Sequence, residues 1–370
     1  MRQRTSPVHG DTSTGEGTAV DPRLDVIRSE ADGLITGVLT REEPHLRDLG
    51  LSAHLDTLRP LLLSGGKRMR AVFCHWGWRG AGGSGSGEEA ATAGAALEIN
   101  HSAFLIHDDI LDRSDTRRGQ PALHRSLTTH HARHDWHGRS EAFGDATALT
   151  LGDLCFAWAD DLISRCASGD RLASVVDLYH RMYVDAVYGQ VLELQIQADR
   201  DYDPERCLRV ATYKAARYML TPPLRIGAVL ADAGEDLHRA YTEFGTALGE
   251  AYQLRDDLLG VFGDPAVTGK PNLDDLREGK PTVLFATALR QATPSRREDL
   301  LATYGSQDLD PATADHLRGL LHETGAPDVV EDMIRVRSQQ ATKALAAAPL
   351  TSEARDVLGH LAARALFRTR

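Results

Sequence analysis

The densest chemistry in the chain lies between Ala96 and Gln120, ALEINHSAFLIHDDILDRSDTRRGQ. Read as a helix, this stretch puts Glu98, His101, Leu105, Asp108 and Asp112 on one stripe. Leu97, Phe104, Ile106, Ile110 and Leu111 make the remaining surface apolar, so the helix is expected to be buried all round. Carboxylates one turn apart in such surroundings need a cation to offset their desolvation and mutual repulsion. Oxygen ligands that retain water suit Mg²⁺, and Mg²⁺ is a common partner of diphosphates. Arg117 and Arg118 follow directly, with forked donors that match phosphate oxygens. One segment thus combines a metal bracket with an anion clamp, the equipment for ionising or moving a diphosphate.

A second acidic pair lies far downstream. Gln253, Asp256 and Asp257 fall near one end of an apolar helix, in DDLLGVFGD, followed by GKPNLDDLREGKPT. Two carboxylate pairs on different helices are what a two-sided metal cage requires. Lys270 and Lys280 flank a glycine- and proline-punctuated loop suited to closing over such a site. Upstream, SGGKRMR lets Gly65 and Gly66 end one helix while Lys67, Arg68 and Arg70 open the next. It is not a Walker A loop, which needs an earlier glycine and a following Ser or Thr; alone it would read as a capped surface turn. Gln190, Glu193 and Gln197 share one face of a further apolar helix, and fit either buried hydrogen bonding or contact with a metal-bound water. Lys214 and Arg217 follow in the next helix.

These groups need elements to hold them. Met1 to Val20, rich in Thr, Ser and Gly, reads as a disordered tail. Apolar spacing from Pro22 to Leu63 predicts two helices separated near Glu43-Pro44. Gly80 to Gly87 forms a flexible link into the central helix. From Arg118 to Ser140 the chain is polar and contains His124, His130, His131, His134 and His137. His130 and His134 have a spacing that permits zinc, but the context favours a solvated loop. Helices are expected over Phe143 to Cys166, Leu172 to Ala198, Leu208 to Tyr218 (interrupted by Pro222-Pro223) and Ala240 to Gly260. With no convincing strand pattern, the class is all-α, a single domain over residues 21–370.

Composition excludes some partners. The chain has 370 residues, 42% of them apolar, and a net charge of −11, so no dominant basic surface is available for nucleic acid. Cys74, Cys155, Cys166 and Cys207 form no CxxC pair, which fits a reducing cytoplasm better than a disulfide framework. No signal peptide or uninterrupted apolar run of membrane-spanning length is present, and the chain reads as soluble.

DDILD followed by RRG resembles the first aspartate-rich motif of the trans-isoprenyl diphosphate synthases. The order of GGKRMR, DDILD, RRG, DDLLG and GKP…EGKPT across Gly65 to Thr282 strengthens the similarity, which covers the chain from about Leu24 onward. The resemblance implies one bundle of long antiparallel helices around a deep cavity, usually a homodimer. It also implies that Asp108, Asp112 and Asp256 hold Mg²⁺, three ions with substrate bound, and that Arg117 touches the allylic diphosphate. Lys67, Arg70, His101 and Arg118 match positions that hold isopentenyl diphosphate, and Lys214, Gln253 and Lys270 match further diphosphate or metal-water contacts. Two departures stand out. Ala215 replaces the usual Thr after the lysine, and Gly260 replaces the last aspartate of the second motif, leaving the ligand count on that side open.

The implied reaction joins an allylic diphosphate (dimethylallyl, geranyl or farnesyl) to isopentenyl diphosphate. Small Ala103 at the fifth position before the first motif points to C20 or longer, and large Phe104 at the fourth argues against very long chains. Geranylgeranyl diphosphate is the expected product. The alternatives are a C15 or C25 product, a non-catalytic subunit of a heteromeric synthase, or a class I terpene cyclase; the last has no use for a second diphosphate site.

Overall fold

The computed structural model describes residues 22–63, 66–263, 274–306 and 308–366; the tail Met1–Val20, Gly65 and Lys270 lie outside them. The described chain is almost entirely helical, as the class expectation required. In order it forms α1 (Pro22–Asp48), α2 (Ser52–Leu63), α3 (Met69–Gly80), α4 (Glu88–Leu111), α5 (Leu123–Arg133), α6 (Ser140–Ile163) and α7 (Gly169–Asp199). Then come α8 (Pro204–Ala211), a π-helix (Thr212–Leu220), α9 (Thr221–Leu230), α10 (Glu235–Phe262), α11 (Asp274–Glu278), α12 (Val283–Gln291), α13 (Pro294–Thr303), α14 (Pro311–Glu323), α15 (Ala326–Ala347) and α16 (Ser352–Leu366). Two-residue strands, β1 (Thr116–Arg117) and β2 (Gln120–Pro121), pair antiparallel around Arg118-Gly119.

The apolar side chains assemble into two cores. One surrounds α10 and includes Tyr241, Phe244, Phe285 and Leu358; the other surrounds α4, α6 and α7 and includes Leu97, Ile99, Ala159 and Tyr179. Each large side chain buried in them contributes roughly 1.5–3 kcal/mol. Helices α3 and α9 pack on each other between the cores and serve both: Phe73 and Leu224 face the first, Cys74 and Ile226 the second. The two acidic helices, α4 and α10, therefore belong to different cores, and the site lies between separately packed halves of one bundle.

Three local expectations are corrected. Helix α1 does not break at Glu43-Pro44 but runs through Pro44 to Asp48. A proline near a helix end forfeits one hydrogen bond. The stop comes instead at Gly50, whose φ of 73° supplies the left-handed closure, with Gly50 N–H donating to Arg47 O and Leu51 N–H to Leu46 O. The histidine stretch is not a solvated loop: Leu123–Arg133 is helical and packs on α6 and α2, with Leu127, His124 and His131 buried. Pro222 and Pro223 do not stop the chain from coiling; they open α9, where a missing N–H costs little. Upstream of them, where prolines cannot supply α-type donors, the turns widen into the π-helix. In addition α10 starts five residues earlier than expected, at Glu235.

Candidate active site

The C-terminal half of α4 presents Asp108 and Asp112 as expected, and both carboxyls are held above the ordinary carboxylate range. Burial raises Asp108, with Lys214 opposing it; burial raises Asp112, with Lys280 opposing it. The intervening Asp109 points the other way and is 1% exposed. It accepts from Arg117 Nε at 2.9 Å and also from Nη2, so the β1–β2 turn is folded back onto α4. Burial opposes the charge on Arg117, and the hydrogen bond it donates to Asp109, together with the negative charges of Asp109, Asp108 and Asp112, more than offsets it. Arg117 thus sits beside the first motif with one partner already engaged. Asp109 was not singled out from sequence, because nothing local in DDILD says which aspartate turns inward.

Next to this turn is a cluster of cations. Glu98 Oε1 accepts from the backbone N–H groups of Arg70 (2.8 Å) and Ala71 (3.3 Å), which fixes the start of α3 against α4. Arg68, at φ 46° and buried, donates to Asp32 and to Leu62 O, so its role is to anchor the turn. Arg70 lies 4.6 Å over the Tyr218 ring, and the Tyr218 hydroxyl is 3.4 Å from His101 Nδ1. The Arg118 guanidinium lies over Gly66, 3.2 Å from where a side chain there would begin. Burial lowers the pKa of Arg118, and Arg68 adds to the effect. Burial and then Arg70, Arg118, Arg117 and Arg68 push His101 well below its usual value, leaving a neutral imidazole. Like charges gathered in this way are favourable only where an anion completes them. Lys67 opens the same segment and is exposed.

The stripe on α7 faces the site. Lys214, from the π-helix, donates to Gln190 Oε1 at 2.6 Å and to Glu193. Gly189 makes this possible, since a side chain there would begin 2.8 Å from Lys214 Cγ. Burial works against the ammonium, but Glu193 and Asp108 offset it and raise its pKa. Gln197 Nε2 donates to Glu278 O at 3.3 Å.

On α10, Gln253 Nε2 donates to Asp257 Oδ1 at 2.8 Å. Burial raises the Asp257 carboxyl to about 8. Asp256, its neighbour, is partly buried and adds to that rise. The amides of Gln190 and Gln253 are therefore occupied in orienting Lys214 and Asp257. Lys280 ties the end of α4 to α11: its Nζ is 2.7 Å from Glu278 Oε2, 3.1 Å from Asp275 Oδ1 and 3.9 Å from Asp112 Oδ2. Burial opposes this ammonium, but Asp275 and Glu278 hold its pKa well above normal. Burial raises Glu278 to about 7, with Lys280 opposing.

Below Asp108, Ala103 is fully buried and Phe104 packs edge-on against Phe156 (5.0 Å), Tyr218 (5.1 Å) and Tyr183 (5.4 Å). Tyr218, Glu193, Asp275 and Glu278 complete the site, yet sequence spacing marks none of them as part of it except through the α7 stripe.

Among the described residues, no three Asp, Glu, His or Cys side chains stand close enough to hold a metal by themselves. The donor set still fits Mg²⁺, since it is all oxygen and its carboxyls are raised by burial, the condition a cation reverses. The two lysine ammonium groups supply positive charge there.

Residues 53–321 match the polyprenyl synthetase family. A geranylfarnesyl diphosphate synthase of Aeropyrum pernix is 31% identical over 306 residues, 81% of this chain and 90% of that protein. A (2E,6E)-farnesyl diphosphate synthase of Mycobacterium bovis is 31% identical over 76% of this chain and 70% of its own length. The fold superposes with a TM-score of 0.88 on a Corynebacterium glutamicum geranylgeranyl pyrophosphate synthase, solved with isoprenyl diphosphate and magnesium, at 33% identity over 94% of this chain and 99% of that one. With both acidic motifs, the arginine turn and the bundle in agreement, the chain belongs to the polyprenyl synthetase family of trans-isoprenyl diphosphate synthases.

Proposed function

We propose that this protein condenses an allylic diphosphate with isopentenyl diphosphate and releases geranylgeranyl diphosphate. The observation that carries this reading is the approach of Lys280 to Asp112 of the first motif, on a segment whose Asp275 lies against Gly260 of α10, next to the separate cation cluster of Arg70 and Arg118. One diphosphate is held at the carboxylates and a second at the arginines, which is one anion site more than a cyclase needs. Asp108, Asp112 and Asp256 would hold Mg²⁺, three ions by the family's pattern. When bound, Mg²⁺ draws off negative charge from the departing diphosphate.

The chain's own groups do the rest. Lys214, Lys280 and Arg117 stabilise charge on the leaving group. Neutral His101 with Arg70, Arg118 and Lys67 positions isopentenyl diphosphate so that its double bond faces the allylic carbon. Lys270 adds to the diphosphate contacts. As the carbon–oxygen bond breaks, the double bond attacks the allylic cation, and the proton lost from the adduct passes to the released diphosphate. Ala215, where the family has Thr, removes a hydroxyl from beside Lys214. The growing tail runs down α4 to the Phe104, Phe156 and Tyr183 rings, whose position supports a C20 product over longer ones.

Two copies are expected to pair through α7. Val184, Val187, Tyr188, Val191 and Leu194 form an exposed apolar stripe at helical spacing, with Leu149 of α6 exposed as well.

The test is to incubate the purified protein with Mg²⁺, isopentenyl diphosphate and dimethylallyl, geranyl or farnesyl diphosphate. A C20 diphosphate is expected. Hydrocarbon would indicate a cyclase, no product a non-catalytic subunit, and C15 or C25 a different floor; relatives of the chain carry C15, C20 and C25 names.

A further inference from the structure

Lys214 is carried by the π-helix Thr212–Leu220, a form that is rare because the α-helix competes with every turn of it. A run of nine residues therefore needs neighbours that hold it. Two helices come close enough to do so. On one side is Gly189 of α7, where a Cβ would begin 2.8 Å from Lys214 Cγ and 3.0 Å from Tyr213 Cβ. On the other, Gly245 and Gly249 lie one turn apart on α10. A Cβ at Gly249 would begin 2.8 Å from Ala216 Cβ, and one at Gly245 would begin 2.9 Å from Thr221 Cα. These glycines set how near the helices lie, but they make no directional bond and leave rotation of the π-helix about its axis undecided. A side chain on α10 fixes that rotation at the first π-helical residue. Thr212 Oγ1 donates to Glu250 Oε1 at 2.7 Å, and Glu250 Oε2 accepts from Arg337 Nε of α15 at 2.7 Å. The side chains of Arg337 and Glu250 are only 16% and 15% exposed, so water and salt screen the pair little.

We propose that Glu250 is a positioning residue for the condensation: held by Arg337, it pins Thr212 and so aims the Lys214 ammonium, two residues further on, at the departing diphosphate. Glu250 acts through Lys214. The pin matters more in this chain because Ala215 supplies no hydroxyl beside the lysine, which leaves Gln190 and Glu193 in front of it and Thr212 behind. Gln190 and Glu193 pull the ammonium from α7, while Glu250 holds the backbone from α10, so the π-helix is fixed from both sides. The proposal rests on the reading above, that Lys214 stabilises charge on the leaving group, and adds the residues that hold it in place.

The experiment uses the full chain with Mg²⁺, isopentenyl diphosphate and farnesyl diphosphate, and compares the parent with Thr212→Val, Thr212→Ser, Glu250→Ala, Lys214→Gln and the double variant Thr212→Val with Lys214→Gln. Thr212→Val and Glu250→Ala are each expected to lower kcat about 10- to 10²-fold, the cost of a misplaced group, with KM for isopentenyl diphosphate within about twofold of the parent. Thr212→Ser, which keeps the hydroxyl, is expected to retain most of the activity. In the Lys214→Gln background the loss from Thr212→Val is expected to vanish, since no ammonium remains to be aimed. A second measurement needs no turnover: reductive methylation of the ligand-free chain, read by peptide mass spectrometry. Lys214 is expected to react about threefold faster or more in Thr212→Val, because leaving Glu193 lowers its pKa and only the neutral amine reacts. Exposed Lys343 should be unchanged. Parent-like kcat and labelling in Thr212→Val, or an equal loss with and without Lys214, would overturn the proposal and leave the general reading intact. A parent chain without turnover would overturn that reading and the proposal with it.

Discussion

Lys280 Nζ stands 3.9 Å from Asp112 Oδ2, so a side chain that follows the second acidic helix reaches the end of the first. The two motifs are 148 residues apart in sequence between Asp108 and Asp256, and this ammonium links the end of the first to Asp275 and Glu278 of α11, which lies against Gly260 of the second.

Removing that bridge should therefore hurt twice. Lys280→Gln is expected to lower kcat/KM about 10²- to 10³-fold, the range for one group aimed at developing negative charge. It should also lower the melting temperature of the metal-free protein, because Asp112, Asp275 and Glu278 lose a counter-charge. Added Mg²⁺ with pyrophosphate should recover much of that loss, as steady-state kinetics and calorimetry would report. Unchanged melting would show that the ammonium does not hold the acids together.

The aspartates themselves should separate chemistry from folding. Asp108→Ala and Asp256→Ala are each expected to abolish turnover, a fall of roughly 10³-fold or more in kcat, with helical circular dichroism unchanged. Normal activity in both would end the metal-cage reading.

Acidity gives a directional test. Asp257 titrates at about 8 in the folded chain against an ordinary 3.8. Its contribution to stability is fully present below about pH 4 and is lost as pH rises through about 8, because only the unfolded chain ionises freely in that window. A bound cation reverses the penalty. The rise in melting temperature on adding Mg²⁺ and pyrophosphate should thus be larger at pH 8.5 than at pH 6.5, and binding should release protons, measurable by calorimetry in buffers of different ionisation enthalpy. A gain that shrinks toward high pH would contradict the assignment.

Chain length should follow the aromatic floor. Phe104→Ala is expected to shift product beyond C20, and Tyr183→Ala or Phe156→Ala to shift it by a smaller amount, at a stability cost of about 3 kcal/mol or less for these partly exposed rings. Mass spectrometry of the dephosphorylated products reads the result; an unchanged distribution in all three would move the floor elsewhere.

The α7 stripe is tested by charge. Tyr188→Glu with Val191→Glu should convert a dimer to monomer in light scattering, since carboxylates cannot be buried there without a partner. A dimer that survives both would place the interface on another face.

Much of this was legible because burial and period coincide. Helices α4, α7 and α10 combine apolar runs with acids at helical spacing, and the pattern names both the element and its functional face. What escaped depends on contacts between distant segments. Whether Asp109 turns toward Arg117, or Asp275 toward Gly260, is decided by how α11 and the β1–β2 turn fold back, and local periodicity carries no record of that. The histidine stretch misled for a related reason. His124 and His131 are polar letters occupying apolar positions, so α5 looks like a loop until α6 covers it. Pro44 and the Pro222-Pro223 pair were weighed as breakers, although proline tolerates a helix end and favours a helix start.

Tyr218 faces two ways at once, its ring carrying Arg70 on one side and abutting Phe104 on another. If Arg70 and Phe104 act as proposed, grip on the incoming building block and depth of the hydrocarbon well are consequently not independent. A variant selected for longer lipids through residue 218 would surrender affinity for the five-carbon unit, whereas one altered at Phe156 or Tyr183 would not. Divergence in product length within this scaffold is thereby steered toward α6 and α7, away from the π-helical turn.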